Sequence, residues 1–264
     1  NNGKINNFKL LSKIPKFDLL ENFKFIKSLS KEDYNLIFNK KEYDEESLLT
    51  YSKYWIEAQK RKNIQEGNFS FFKTHNARIK INNNYYTNST TTLGFIYILR
   101  DPRDIVISYS NHMKKNIDDT IEFLLNGQIM GKEMNVKIMP EIILNWNDNY
   151  LSWKNFNDVP SLFLKYEDLL ANAEKEINKI INFLYKNFNI ETKNKKIKIK
   201  NIIESTNFNK IEKLENKIGF NENLKLEKFF RIGKKDQWKN KLSEKQLNSI
   251  LNKFKKTMKK LQYL

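Results

Sequence analysis

Gly94-Phe95-Ile96-Tyr97-Ile98-Leu99-Arg100-Asp101-Pro102-Arg103-Asp104 passes within a few residues from an uncharged apolar run to four charges around one proline. Residues 94–99 read as a short buried strand, rich in β-branched and aromatic side chains and bounded by glycine. The strand ends at Leu99. Asp101 is a good helix cap, and Pro102 suits the first helical position. A helix that starts where a parallel strand stops points free N–H groups and its dipole at whatever lies there, which makes an anion site. Arg100 stands at its mouth with a planar donor fork suited to phosphate. An ordinary strand-to-helix turn with a surface arginine produces the same pattern, so this stretch alone leaves both readings open.

Two further apolar runs, 69–72 and 161–165, also read as buried strands. Their ends carry Lys73-Thr74-His75 and Tyr166-Glu167-Asp168. Helical periodicity fills the intervals at 46–65, 104–115, 141–153, 172–185 and 243–261; Ser243 with Gln246 spells a capping box. Short strands alternating with helices predict an α/β fold, a single domain with a central parallel β-sheet flanked by helices. Ligands of such sheets sit beyond the carboxyl ends of the strands, where all three polar endings fall.

Residues two apart in an extended segment point the same way, so Lys73 and His75 face one small volume. Histidine is the natural general base near neutral pH, and lysine stabilises developing negative charge on oxygen. A lone histidine is more often structural; its place at a strand end beside Lys73 favours chemistry. Arg231-Ile232-Gly233-Lys234-Lys235-Asp236-Gln237-Trp238-Lys239 is a cationic loop whose Gly233 permits close backbone approach to a ligand. An exposed basic loop is the plain alternative.

The 264 residues suffice for one large domain, and 39% hydrophobic content indicates a folded chain. No window approaches a membrane span, and the N-terminus has no signal-peptide core. Absence of cysteine excludes disulfides, thiolate metal sites and a cysteine nucleophile, and two histidines exclude a histidine-rich metal site. The net charge of +17 suggests an anionic partner, but abundant Asn, Lys and Ile with scarce Gly and Pro point first to biased composition. The basic run 193–200 reads as a solvated face.

Taken in order, these segments resemble the sulfotransferases that use 3′-phosphoadenosine 5′-phosphosulfate (PAPS). Phe71-Phe72-Lys73-Thr74-His75-Asn76 is similar to the segment with the catalytic histidine. Residues 97–109, with Arg100 and Ser108 eight apart, resemble the 3′-phosphate-binding segment. Leu164-Lys165-Tyr166-Glu167-Asp168-Leu169 resembles the signature whose tyrosine lies near adenine, and Thr206-Asn207-Phe208 the stretch that packs on the adenine ring. Arg231, Ile232 and Gly233 resemble the C-terminal loop that clamps the 3′-phosphate, with Ile232 where the family commonly has lysine, so that one phosphate contact is either lost or supplied by Lys234 or Lys235. Five motifs in the right order over residues 71–240 make a specific signal.

The resemblance implies a P-loop NTPase-like sulfotransferase fold over residues 1–264. It implies His75 as general base, Lys73 stabilising charge on the leaving oxygen, and Arg100, Ser108, Tyr166, Thr206, Phe208, Arg231, Ile232 and Gly233 holding the nucleotide. PAPS is the implied donor with no metal, the acceptor a small molecule with a hydroxyl or amine, and the compartment the cytoplasm; a homodimer stays open. The family's Pro-Lys-Ser-Gly-x-Thr-Trp phosphate loop has no match here, since Ser12-Lys13-Ile14-Pro15-Lys16 lacks its Gly and Thr. The expectation is that the first strand and this loop lie upstream of Asn1. Acceptor specificity is expected in 111–140 and the N-terminal third, with 119–139 either a lid or a packed helix. Three rivals remain: a P-loop phosphotransferase using Asp101 and Asp104 around Mg²⁺, a non-catalytic nucleotide- or nucleic-acid-binding protein, and a chain that folds but is inert without the loop that grips the sulfuryl group.

Overall fold

The computed structural model describes residues 2–8, 14–40, 42–66, 70–131, 138–220 and 228–264. In chain order the first elements are α1 (Ile26–Leu29), α2 (Lys31–Phe38), α3 (Glu45–Ser52), α4 (Trp55–Glu66), β1 (Lys80–Ile81) and β2 (Asn84–Tyr85). Then come β3 (Phe95–Leu99), α5 (Pro102–Met113), α6 (Ile117–Asn126), β4 (Ile129–Met130), β5 (Glu141–Ile142) and α7 (Trp146–Lys154). The last are β6 (Ser161–Lys165), α8 (Tyr166–Ala171), α9 (Ala173–Phe188), α10 (Lys195–Ser205), α11 (Phe208–Ile218) and α12 (Glu244–Lys260). Residues 11–95 and 126–159 form one compact unit, and residues 1–10, 96–125 and 160–264 form another. Among the described residues no helix is long and apolar enough to cross a membrane.

In the second unit β3 pairs with β6 across the long connection between them. Their carboxyl ends lie together, because the Asp101 N–H donates to Glu167 Oε1 at 2.9 Å; the two strands therefore run parallel, as expected. Each feeds straight into a helix, α5 and α8. Asp101 caps α5 with Pro102 in its first turn, and the Ser243–Gln246 capping box opens α12. One expectation fails here. Residues 94–99 read as fully buried, yet Ile98 is 61% exposed while Leu99 is 4% exposed. Alternate side chains of a strand face opposite ways, and Ile98 lies on the face opposite Leu99.

The first unit has an aromatic core. Phe23, Tyr51, Trp55 and Tyr86 are buried and meet edge to face in a chain, with ring centroids 4.9 Å apart for Phe23–Tyr51, 5.6 Å for Tyr51–Trp55 and 5.4 Å for Trp55–Tyr86. Burying such a side chain contributes roughly 1.5–3 kcal/mol each. The helix expected at 46–65 is broken into α3 and α4. Lys53 N–H bonds back to Thr50 O and Tyr54 N–H to Tyr51 O, a tight turn that ends α3, and Ser52 Oγ donates to Leu49 O at 2.6 Å. The helix expected at 141–153 is corrected more deeply. Glu141 and Ile142 form β5, antiparallel to β4, and the helix begins only after Asn145, whose side chain caps α7. Leu144 takes a positive φ of 59° to make that corner. The strand expected at 69–72 reduces to one parallel bridge between Lys16 and Lys73; Phe69 lies outside the described residues.

Asp18 sits in the middle of this unit, fully buried. Its carboxylate accepts from Thr74 Oγ1 at 2.9 Å, Asn76 Nδ2 at 2.8 Å and Tyr86 OH at 3.3 Å. Burial, and then the charge of Glu141, push this carboxyl up to about 7 against the opposing hydrogen bonds. A carboxyl raised on folding binds its proton more tightly in the folded state. It therefore favours folding at low pH, and that advantage is lost as pH rises from near 4 through about 7. Asp18→Asn is expected to remove on the order of 2–3 kcal/mol from the stability difference between pH 5 and pH 8. Urea titrations of both proteins at the two pH values check this; equal pH dependence in wild type and variant would contradict the burial argument.

Candidate active site

Lys73 and His75 leave the bridge with Lys16 on an extended, non-helical segment of the first unit. Lys73 N–H donates to Pro15 O and Phe17 N–H to Lys73 O, both at 2.9 Å, which pins the segment on one side. On the other side Asn76 Oδ1 accepts from Ile142 N–H at 2.6 Å, and Ala77 N–H donates to Ile142 O at 2.9 Å. Trp153 Nε1 adds a bond to Asn76 O at 2.9 Å. His75 thus has a fixed backbone and a side chain 41% exposed. Its Nδ1 lies 3.1 Å from Glu141 Oε1, and its own N–H donates to the same oxygen at 3.2 Å. Lys16 Nζ is 3.4 Å from Glu141 Oε2. Burial works to raise the Glu141 carboxyl, but hydrogen bonds and charge from His75, with the charge of Lys16, outweigh it and hold the group below its usual range.

Sequence reading missed Glu141, which lies 66 residues from His75 in a run read as helix. The same unit holds a cavity of about 510 Å³, lined among others by Tyr43, Asp44, Leu48, Ile79, Ile129 and Ile142. This size suits a small organic molecule, and the lining falls largely in the N-terminal third, where acceptor specificity was expected.

The remaining candidates belong to the second unit. Arg100 follows β3, and its guanidinium carbon lies 4.5 Å from the centroid of the Tyr166 ring at the start of α8. The flat cation on the aromatic face holds both. The helix start expected after Leu99 is there, and Asp101 caps it as expected: its Oδ1 accepts the Arg103 N–H at 2.9 Å. Arg103 closes the ion pair through Nη2 to Asp101 Oδ2 at 2.6 Å, donates to Tyr263 O at 2.7 Å, and lies 3.9 Å from the Trp238 ring. Asp104 accepts from the N–H groups of Asp236 at 2.7 Å and Trp238 at 3.2 Å. It fastens the cationic loop to α5, the helix that carries Ser108 roughly 10 Å from its start. Asp101 and Asp104 are thereby occupied as structural acceptors, against the Mg²⁺ role of the phosphotransferase reading. Among the described residues no three His, Asp or Glu group as metal ligands do.

Thr206 caps the end of α10 with its hydroxyl on Ile202 O at 2.7 Å, and Asn207 caps α11, whose first residue is Phe208. The backbone of Gly233 packs on the Phe208 ring at φ 61°, so closely that a Cβ there would overlap the ring. Glycine is needed at this position for both conformation and space. Arg231 is exposed and donates to Gln237 Oε1 at 3.2 Å, and Ile232 is half-buried. The structure thus brings together Arg100 with Tyr166 and Gly233 with Phe208. Of the segment 119–139, α6 buries Thr120, Ile121 and Leu124 and is a packed helix, while residues 132–137 lie outside the described ones.

The family model of the sulfotransferase domain matches residues 11–262, and the chain belongs to that family. Amine sulfotransferase of Oryctolagus cuniculus is 28% identical over 62% of this chain and 54% of its own length. Flavonol 3-sulfotransferase of Flaveria bidentis is 25% identical over 61% and 53%. Cytosolic sulfotransferase 12 of Arabidopsis thaliana is 30% identical over 56% and 45%. The chain spans about half the length of these curated relatives. Retinol dehydratase, solved with androsterone and the inactive cofactor PAP, shares the fold at TM-score 0.54 and 19% identity, over 90% of this chain and 75% of that one.

Proposed function

We propose that this protein transfers a sulfuryl group from PAPS to a hydroxyl or amine of a small acceptor, with His75 as the base. The observation that carries the reading is a set of strand-end and loop residues within one compact unit: Arg100 over Tyr166, Gly233 against Phe208, and Asp104 fastening the loop of Gly233 to the helix of Ser108. Two flat faces, two arginines and a hydroxyl fit a purine with a 3′-phosphate. The donor supplies a sulfuryl group on a good leaving phosphate. His75 Nε2 takes the acceptor's proton as the acceptor atom bonds to sulfur, and the bond from sulfur to the bridging oxygen breaks. Lys73 stabilises the negative charge that gathers on that oxygen. The acceptor's body would lie in the apolar cavity beside Ile142, the neighbour of Glu141.

Calorimetry with adenosine 3′,5′-bisphosphate tests the reading directly. Saturable binding is expected, and Arg100→Ala should weaken it by about 1.5–3 kcal/mol, the value of a hydrogen bond to a charged group. Unchanged affinity in that variant would remove the nucleotide role from the end of β3. Stronger, salt-dependent binding of random DNA would instead favour the nucleic-acid reading.

A further inference from the structure

The geometry points to Glu141 as the positioning residue of His75: its buried carboxylate fixes the imidazole as the Nδ1–H tautomer and turns Nε2 outward for the acceptor's proton. This rests on the reading of His75 as the base and adds to it a residue that acts through the ring rather than on substrate.

Glu141 is 2% exposed, and donors surround its carboxylate. Its Oε1 receives the His75 backbone N–H at 3.2 Å and faces Nδ1 at 3.1 Å, while Oε2 faces Nδ1 at 3.3 Å and Lys16 Nζ at 3.4 Å. A carboxylate is an acceptor only, so the ring nitrogen beside it must carry the hydrogen. The neutral ring has one hydrogen to place; with Nδ1 protonated, Nε2 has the lone pair. In water the other tautomer is favoured, so the carboxylate decides the outcome.

Position is held as firmly as tautomer. The Glu141 backbone is in β5, paired with Met130 of β4, and the next residue, Ile142, is zipped to Asn76 and Ala77 by two hydrogen bonds. Asn76 and Thr74 are in turn anchored on Asp18. The residues on both sides of His75 therefore cannot move away from Glu141 without breaking buried hydrogen bonds. When Nε2 takes the proton, the ring becomes an imidazolium whose Nδ1–H still faces the carboxylate, so the new charge is paired where it forms. Lys16 keeps Glu141 balanced before that step, and 41% exposure of the His75 side chain leaves the ring open to an incoming acceptor.

The test uses the full-length protein with 15N-labelled histidine. Residues 1–264 hold His75 and His112, and the signal lost in His75→Ala assigns the His75 ring. At a pH where the ring is neutral, long-range 15N–1H correlations should show His75 as the Nδ1–H tautomer. Glu141→Ala should convert it mainly to Nε2–H. Glu141→Gln, which still offers a carbonyl acceptor and guards against a folding defect in the alanine variant, should retain Nδ1–H. In the transfer assay kcat should fall by roughly 30–100-fold in Glu141→Ala and less in Glu141→Gln, with the KM for the donor unchanged. A wild-type ring in the Nε2–H form, or the same tautomer in wild type and Glu141→Ala, overturns the assignment. A His75→Ala variant that keeps its activity refutes instead the base reading beneath it, whatever the spectra show.

Discussion

Replacement of His75 by alanine in the full-length protein is expected to lower kcat for sulfuryl transfer by on the order of 10³-fold, the range for loss of a positioned general base. Affinity for adenosine 3′,5′-bisphosphate should stay nearly the same. The two halves of that expectation come from different places in the molecule. His75 belongs to a segment pinned by Lys16, Asp18 and β5, and its ring contacts Glu141. The groups assigned to the nucleotide sit after β3, on α5 and α8, between α10 and the start of α11, and on the loop from Arg231, all in the other compact unit. Removing an imidazole that is already 41% exposed opens little cavity, and Glu141 keeps the backbone N–H of residue 75 and Lys16 as donors, so the fold should survive the change. Rapid-quench transfer of labelled sulfuryl group, beside calorimetry on the same sample, separates chemistry from binding. A variant with most of its wild-type kcat would leave the acceptor's proton to another group.

The strand-to-helix turn was legible because its signals are local. Leu99 ends an apolar run, Asp101 is a cap and Pro102 a first-turn residue, and the structure puts each in that role. Ser161–Lys165 and the capping box at Ser243 were legible for the same reason. What escaped is long-range. Nothing near Glu141 announces a partner 66 residues earlier, and helical periodicity in its neighbours hid a two-residue strand. Asp104 looked like a first-turn helix acid, which it is, yet its carboxylate holds N–H groups 132 and 134 residues away. Asp18, between Phe17 and Leu19, offered no reason to expect burial, because its three donors come from residues 74–86. The anion-site reading of α5 rests on the same local signal: a capping aspartate and an anion-binding helix start both use N–H groups of the first turn, and Asp101 takes that of Arg103.

Arg103→Ala is expected to destabilise the fold by about 3–5 kcal/mol, the usual effect of breaking one side of a buried ion pair. That would lower the thermal midpoint by on the order of 10 °C. Arg100 and Arg103 are three residues apart and alike in sequence, but their surroundings differ. Arg103 is 6% exposed and Asp101 5%. Its guanidinium meets both carboxylate oxygens, reaches Tyr263 O after the last helix, and lies 3.9 Å from the Trp238 ring. Alanine there would strand the Asp101 carboxylate in a buried site, release the C-terminal segment from α5 and remove the guanidinium from the Trp238 ring. Arg103→Lys should recover only part of the loss, because one ammonium cannot serve two carboxylate oxygens and a carbonyl in the fixed geometry of a fork. A double variant, Asp101→Asn with Arg103→Met, removes both charges at similar volume and should be closer to wild type than Arg103→Ala alone, since no charge is then left unpaired. The two arginines thereby divide by measurement: Arg100→Ala should change nucleotide affinity and leave the melting curve in place, and Arg103→Ala should move the melting curve first. A melting curve unchanged in Arg103→Ala would mean that the pair contributes nothing to the fold, and the phosphate role would then have to be tested for both.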